Sequence, residues 1–301
     1  MQNKIFDDGC PLLPDSVARL LPSVIADEIA ARLPDGQAPQ EITLRAGKRA
    51  FLTCGKSNLP LDAVISDKTL TEIFLSVCGG SLYAHADTVN HGFVTLADGV
   101  RVGISGRAVT QGDRITAITD VSSLCFRIPR NFWIDPAIPI SALRSFSLSR
   151  GILLFSPPGG GKTTALRSIV RALASGETPL RVAVVDTRYE LSPFLTSKEL
   201  CVDLLSGYPR REGIEIAARS LGAQVIVCDE ICGCEEAEAV IEIQSGGAAF
   251  IATAHASDLE GLLSRTDMAL LHRAGTFGAY LHVDRHKDTP YTVYPRESDV
   301  L

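Results

Sequence analysis

The nine residues SPPGGGKTT, Ser156 to Thr164, constrain this 301-residue chain more than any other stretch. They follow the apolar run GILLF and precede ALRSIVRALA, so the turn joins a strand to a helix. In that setting the N–H groups of Gly159, Gly160, Gly161 and Lys162 are expected to face one concavity at a helix N-terminus, where the helix dipole favours phosphate. The stretch matches G-x-x-x-x-G-K-[ST] except that Ser156 replaces the first glycine. That position opens the turn and need not meet phosphate closely, so the change is tolerable. The spacing predicts Lys162 on the β and γ phosphates, Thr163 holding Mg²⁺ by its hydroxyl and Thr164 beside the α-phosphate, with Pro157 and Pro158 completing the loop. The bland alternative, a helix-capping turn, is disfavoured by the flanking strand and helix.

A phosphate loop hydrolyses nothing without acidic partners for metal and water. About 65 residues on, VIVCDE carries Asp229 and Glu230 at the end of an apolar strand. Asp229 is expected to orient the Mg²⁺ water shell and Glu230 to polarise the attacking water. AVVDTRYEL and FIATAHA end in the same manner, with Asp186 and Glu190 after one strand and Thr253 and His255 after the other. Ligands of open α/β sheets lie beyond the carboxyl ends of strands, so all four are predicted near the γ-phosphate. His255 fits a sensor and a capping histidine equally well. No N-K-x-D run for guanine is present, which disfavours a GTPase, and no arginine-rich lid supports a small-molecule kinase.

The remaining organisation is read from pattern. Residues 1–135 form an α+β module: SVARLLPSVIADEIAARL reads as two helices broken at Pro22, EITLRAGKRAFLTC as strands turning at Gly47, and SDKTLTEIFLSVCGG as a helix capped by Ser66. Antiparallel hairpins follow, broken by Asp98-Gly99, Gly106 and Gly112. PRNFWIDPAIPI, with three prolines, predicts a linker over 136–148. Residues 149–301 then alternate apolar strands (GILLF, RVAVVD, AQVIVCDE, AAFIATA) with helices, as expected of a parallel sheet covered on both faces. The fold class is therefore α/β, a P-loop domain with a parallel sheet preceded by a smaller α+β domain.

The net charge is -6; residues 1–150 carry 15 basic against 15 acidic side chains, and residues 151–301 carry 14 against 20. Neither half is the basic body of a nucleic-acid binder. No apolar run reaches the ~20 residues of a membrane span. The acidic pair early in MQNKIFDDGC argues against an export signal, so a cytoplasmic protein is expected. The eight cysteines then read as reduced thiols; a metal site at Cys228, Cys232 and Cys234 is the disfavoured reading.

Together these motifs resemble the stage III sporulation protein AA family, a branch of the secretion ATPases among AAA-type P-loop proteins. The resemblance covers nearly the whole chain. It rests on EITLR, SLYAHADTVNHGFVTLADGVRVGISGRAV and SSLCFRIPR in the first half and on SPPGGGKTTALRSI, AARSLGAQVIVCDEI and ATAHA in the second. The Ser-Pro-Pro opening belongs to that family's loop. By position, Lys162 and Thr163 fall in the phosphate loop, Asp229 and Glu230 in the acidic motif, and His255 in the histidine box of secretion ATPases. DTRYEL is similar to their aspartate box, although Thr187 stands where the family has an acidic residue. The resemblance implies an ATP- and Mg²⁺-dependent motor of a hexameric ring. Its setting would be the mother-cell face of a sporulation membrane channel, with the channel's membrane proteins as partners. It also implies that arginines of the first domain, Arg107 and then Arg101 and Arg127, approach the nucleotide. A nucleic-acid-binding ATPase and a weakly hydrolysing scaffold are the competing readings.

Overall fold

The computed structural model describes residues 5–7, 13–33, 39–55, 57–81, 89–90, 92–96, 98–112, 114–129, 132–244 and 246–296. Most of the opening segment that bears on export, and residues 82–88, 91 and 97 of the stretch carrying the family resemblance, lie outside them. The chain forms two compact units, residues 8–131 and residues 1–7 with 132–301.

In the first unit Pro22 separates α1 (Asp15–Leu20) from α2 (Ser23–Arg32). Gly47, at φ +67°, turns β2 (Glu41–Arg45) into β3 (Arg49–Cys54). β2 alternates as a half-covered strand does, with Ile42 and Leu44 buried between more accessible neighbours. β4 (Ser57–Val64) leads to α3 (Asp67–Val77), whose Ser66 side chain accepts the Thr69 N–H, a cap worth about 1 kcal/mol. With β5 (Phe93–Thr95), β6 (Arg101–Gln111) and β7 (Arg114–Arg127), these strands make an antiparallel sheet ordered β4-β3-β2-β7-β6-β5. Helices α2 and α3 pack on β4 and β7. Gly106, which the sequence reads as a break, instead sits at a bulge inside β6, where a Cβ would lie 2.6 Å from the Thr119 carbonyl oxygen.

The second unit takes in all of residues 136–148, where the sequence predicts a linker, and starts before them at residue 132. β8 (Phe132–Ile134) pairs with β1 (Ile5–Asp7), and α4 (Ala137–Ser145) occupies most of residues 136–148, burying Leu143 in the core. The prolines conceal this helix from pattern reading. Pro136 is its N-cap and Pro139 falls in its first turn, where no N–H is needed.

β9 (Gly151–Ser156), α5 (Lys162–Leu173), β10 (Val182–Asp186), β11 (Val202–Ser206), α6 (Arg210–Arg219), β12 (Val225–Cys228), α7 (Cys234–Gln244) and β13 (Ala249–His255) follow. The chain then continues through α8 (Leu259–Leu263), α9 (Thr266–Ala274), β14 (Phe277–Val283) and β15 (Tyr291–Pro295). The sheet order is β11-β10-β12-β13-β9-β14-β15, parallel except for β15. Successive residues point to opposite faces. Ile152, Leu154, Val184 and Val227 join α4 and α5 in one core, while Leu153, Phe155, Val185 and Ile226 join α6, α7 and α9 in the other. Burial on both faces is why these strands read as unbroken apolar runs. This is the expected P-loop architecture, with β13 between the loop strand β9 and the acidic strand β12.

Close packing is most severe at the start of β9. A Cβ on Gly151 would overlap the Phe250 carbonyl oxygen of β13. Overpacking against backbone, which cannot rotate away, costs about 1–3 kcal/mol or more. Gly151→Ala is therefore expected to lower the thermal midpoint by roughly 4–10 °C, read by circular dichroism. An unchanged midpoint would refute this account of the β9–β13 packing.

Candidate functional site

The carboxyl ends of β9, β12 and β13 open on a cleft of about 340 Å³. It is lined by Pro158, Gly159, Gly161, Lys162, Thr163 and Thr164 on the loop side, and by Arg188, Glu190, Asp229, Glu230, Thr253, His255 and Arg285. Ser156 ends β9 fully buried, facing the underside of the loop. A Cβ on Gly160 would overlap the Ser156 side chain, so the serine at the first position and the glycine at the fifth fit as a pair. Gly161 caps α5 at φ +101°, a conformation open to glycine alone at little cost. One of the four expected phosphate donors is already engaged, since the Gly160 N–H closes on the Pro157 carbonyl at 3.2 Å.

Lys162 is only 6% exposed. Its three N–H donors are shared among the Ser156 carbonyl (2.8 Å), the Pro157 carbonyl (3.2 Å), Ser156 Oγ (3.3 Å) and His255 Nδ1 (3.1 Å). Burial lowers its pKa, and Asp229 and Glu230 pull the other way. An ammonium only donates, so Nδ1 of His255 accepts and the ring proton sits on Nε2, which faces Glu230 Oε1 at 3.7 Å. Glu230 Oε2 takes a 2.6 Å ion pair from Arg188 Nη1. Glu230 itself is held at φ +55°, in the left-handed region.

Thr253 lines the cleft, where it also has a positioning part that the sequence did not suggest. Its hydroxyl proton goes to Asp229 Oδ1 (2.7 Å) and its oxygen accepts the Glu230 N–H (2.9 Å), so it positions both acidic residues. Asp229 Oδ2 lies 3.5 Å from Thr163 Oγ1. A side-chain hydroxyl beside one carboxylate, with room for water, is a hard oxygen donor set that fits Mg²⁺. Asp186, predicted near the γ-phosphate, is instead spent within its own loop. It is buried, and its carboxylate accepts the N–H groups of Glu190, Leu191 and Ser192 and the Ser192 hydroxyl. That anchor places Glu190 in the cleft wall, where burial and then Asp229 raise its pKa.

Sequence reasoning missed the cations around this cluster. Arg167 of α5 stacks on Phe194 and donates to the Glu190 carbonyl (2.9 Å), and burial pushes its pKa down to about 10 against the pull of nearby carboxylates. Arg210 donates to the Asp229 carbonyl (3.2 Å). Arg265 braces His255 and Ile231 through their carbonyls. Arg285 follows β14, and its N–H donates to the Gly160 carbonyl (3.1 Å). The signal for Arg285 was its place after an apolar strand. Arg101, Arg107 and Arg127 belong to the other unit. Arg107 is 77% exposed beside Asp120 (3.4 Å), Arg127 meets Glu41 (3.1 Å), and Arg101 stacks on Phe93. The three thiols considered for a metal are divided, Cys228 in the core and Cys232 and Cys234 exposed.

The sequence profile described as "Sporulation stage III, protein AA" matches residues 14–297. The chain belongs to that family. It is 29% identical over 233 residues to Stage III sporulation protein AA of Bacillus subtilis (strain 168), covering 73% of this chain and 75% of that protein. Among solved structures it is similar to the ATPase DotB of Legionella pneumophila, with 17% identity, a TM-score of 0.56 and coverage of 82% of this chain and 72% of that one. The pilus retraction motor PilT with bound ADP gives 14% identity, a TM-score of 0.57 and coverage of 86% and 76%. At these identities the likeness is one of fold. Among the described residues no helix is long and apolar enough to cross a membrane.

Burial raises the Asp229 carboxyl, and Asp186 and Glu230 add to that, against the Thr253 hydrogen bond. The proton on Asp229 thus contributes stability that is fully present below the ordinary carboxylate range and is lost as pH rises through the raised value. Asp229→Asn removes that loss. In chelator-treated protein the variant's thermal midpoint should gain on wild type by a few degrees between pH 4 and 7, since ~1 kcal/mol moves it about 2–4 °C in a unit of this size. A difference that is flat with pH would contradict the buried-carboxylate account.

Proposed function

We propose that this protein is a Mg-ATP-hydrolysing motor of the secretion-ATPase type, acting as a hexameric ring. Its role would be to energise assembly of, or transport through, a mother cell to forespore channel from the cytoplasmic side. The observation that carries this reading is the convergence of Lys162, Thr163, Asp229, Glu230 and His255 in one cleft beyond the carboxyl ends of three parallel strands. Support comes also from the shared fold of DotB, described as an ATPase, and of PilT, whose structure holds ADP. The family supplies the sporulation setting.

The residues divide the labour. Loop N–H groups and the N-terminus of α5 hold the phosphates, and Lys162 exchanges its loop carbonyls for phosphate oxygens. Thr163 would hold Mg²⁺ directly and Asp229 through its water shell, and the ion would supply charge neutralisation at the phosphates. Glu230 accepts a proton from the water that attacks the γ-phosphorus, while the bond to the bridging oxygen breaks and its electron pair leaves with ADP. Lys162→Ala is expected to abolish tight nucleotide binding. Glu230→Gln should keep binding and lower turnover by about 10²–10⁴, the usual worth of a positioned general base. Wild-type turnover in Glu230→Gln would remove Glu230 from this role.

Ring closure would bring in Arg107, and after it Arg101 and Arg127. Exposed contacts such as Arg107 with Asp120 are worth roughly 0–1 kcal/mol and yield readily to phosphate. An arginine finger contributes about 10³–10⁵ in rate. If a neighbouring chain donates Arg107, mixing inactive Lys162→Ala with inactive Arg107→Ala subunits should restore ATPase activity. Full activity of Arg107→Ala alone in the assembled complex would refute the finger.

A further inference from the structure

We propose that Arg188 reads the γ-phosphate, leaving Glu230 for the triphosphate and returning to it with the diphosphate, so that Glu230 is free as a base only while ATP is bound. This rests on the nucleotide reading above and adds a residue to which the loop and acidic motifs assign no role. The Arg188–Glu230 pair cannot persist through hydrolysis. A carboxylate whose Oε2 is held at 2.6 Å by a guanidinium has its charge balanced and its basicity lowered, and is a poor proton acceptor.

Something must compete for the arginine. The Arg188 side chain is 59% exposed, so its pair with Glu230 is worth no more than about 1 kcal/mol. A γ-phosphate lying between Lys162 and Glu230 offers three oxygens and more charge, and the guanidinium fork matches phosphate geometry. The backbone beneath stays fixed. Asp186 ties the loop at Glu190, Leu191 and Ser192, and the Thr187 hydroxyl donates to the Tyr208 carbonyl at 2.9 Å. Rotation of the Arg188 side chain alone therefore makes the transfer, and ADP, lacking the γ-phosphate, gives it no destination.

Titration of the full-length protein with Mg-ADP and with a Mg-bound non-hydrolysable ATP analogue tests this. Arg188→Ala should keep its ADP affinity within about twofold, lose about tenfold or more for the analogue, and fall about 10²-fold in kcat. Arg188→Lys, which keeps charge without the fork, should recover part of the analogue affinity. An unchanged ratio of analogue to ADP affinity in Arg188→Ala overturns the proposal, whether kcat falls or rises, because Arg188 would then act on Glu230 alone. If the alanine variant loses ADP as well, the same ratio in the lysine variant decides. Wild-type protein that binds neither nucleotide overturns the nucleotide reading itself, and this proposal with it.

Discussion

Burial of the central sheet on both faces governs everything built on it. β9, β10, β12 and β13 carry apolar side chains into two separate cores, so a polar group inside any of them needs a partner at hand, as Thr253 of β13 has in Asp229 and Glu230. Polarity is therefore concentrated toward the carboxyl ends. Ser156, Asp186, Asp229 and His255 all stand where their strands finish, and the register of β13 on β9 sets His255 opposite Ser156. The cleft is the place where four strands are at last permitted polar residues, and its geometry is inherited from the packing below it.

Within the cleft, like charges are brought together at a cost that neighbouring groups offset. Asp186, Glu190, Asp229 and Glu230 share a small volume, and burial raises two of them. Lys162 and Arg167 of α5, Arg188 of the loop after β10 and Arg210 of α6 answer them. Thr253 joins the two acidic residues through one hydroxyl. A strand inserted between the loop strand and the acidic strand thus has a chemical as well as a topological part to play.

Much of this was legible in sequence because the signals are local. A glycine-rich turn between strand and helix, or an acidic pair after four apolar residues, specifies its own conformation. What escaped depends on partners distant in the chain. β14 was hidden by Gly278 and His282, which interrupt its apolar run, and β11 by its half-exposed edge position. The helix over Ala137–Ser145 was hidden by prolines that local rules read as breakers. Asp186 was placed at the correct strand end and Thr253, read as following its strand, lies inside β13; which way each spends its hydrogen bonds is decided by segments distant in the chain. Arg188 carries no signal until Glu230, 42 positions away, is folded against it.

Glu230 is the residue proposed to take the proton, and its backbone lies in a region that costs a side chain with a Cβ about 1–2 kcal/mol. Glycine or asparagine would occupy the position more comfortably. Any laboratory evolution of this protein for heat resistance, with no demand for turnover, is thus drawn toward replacing its proposed general base.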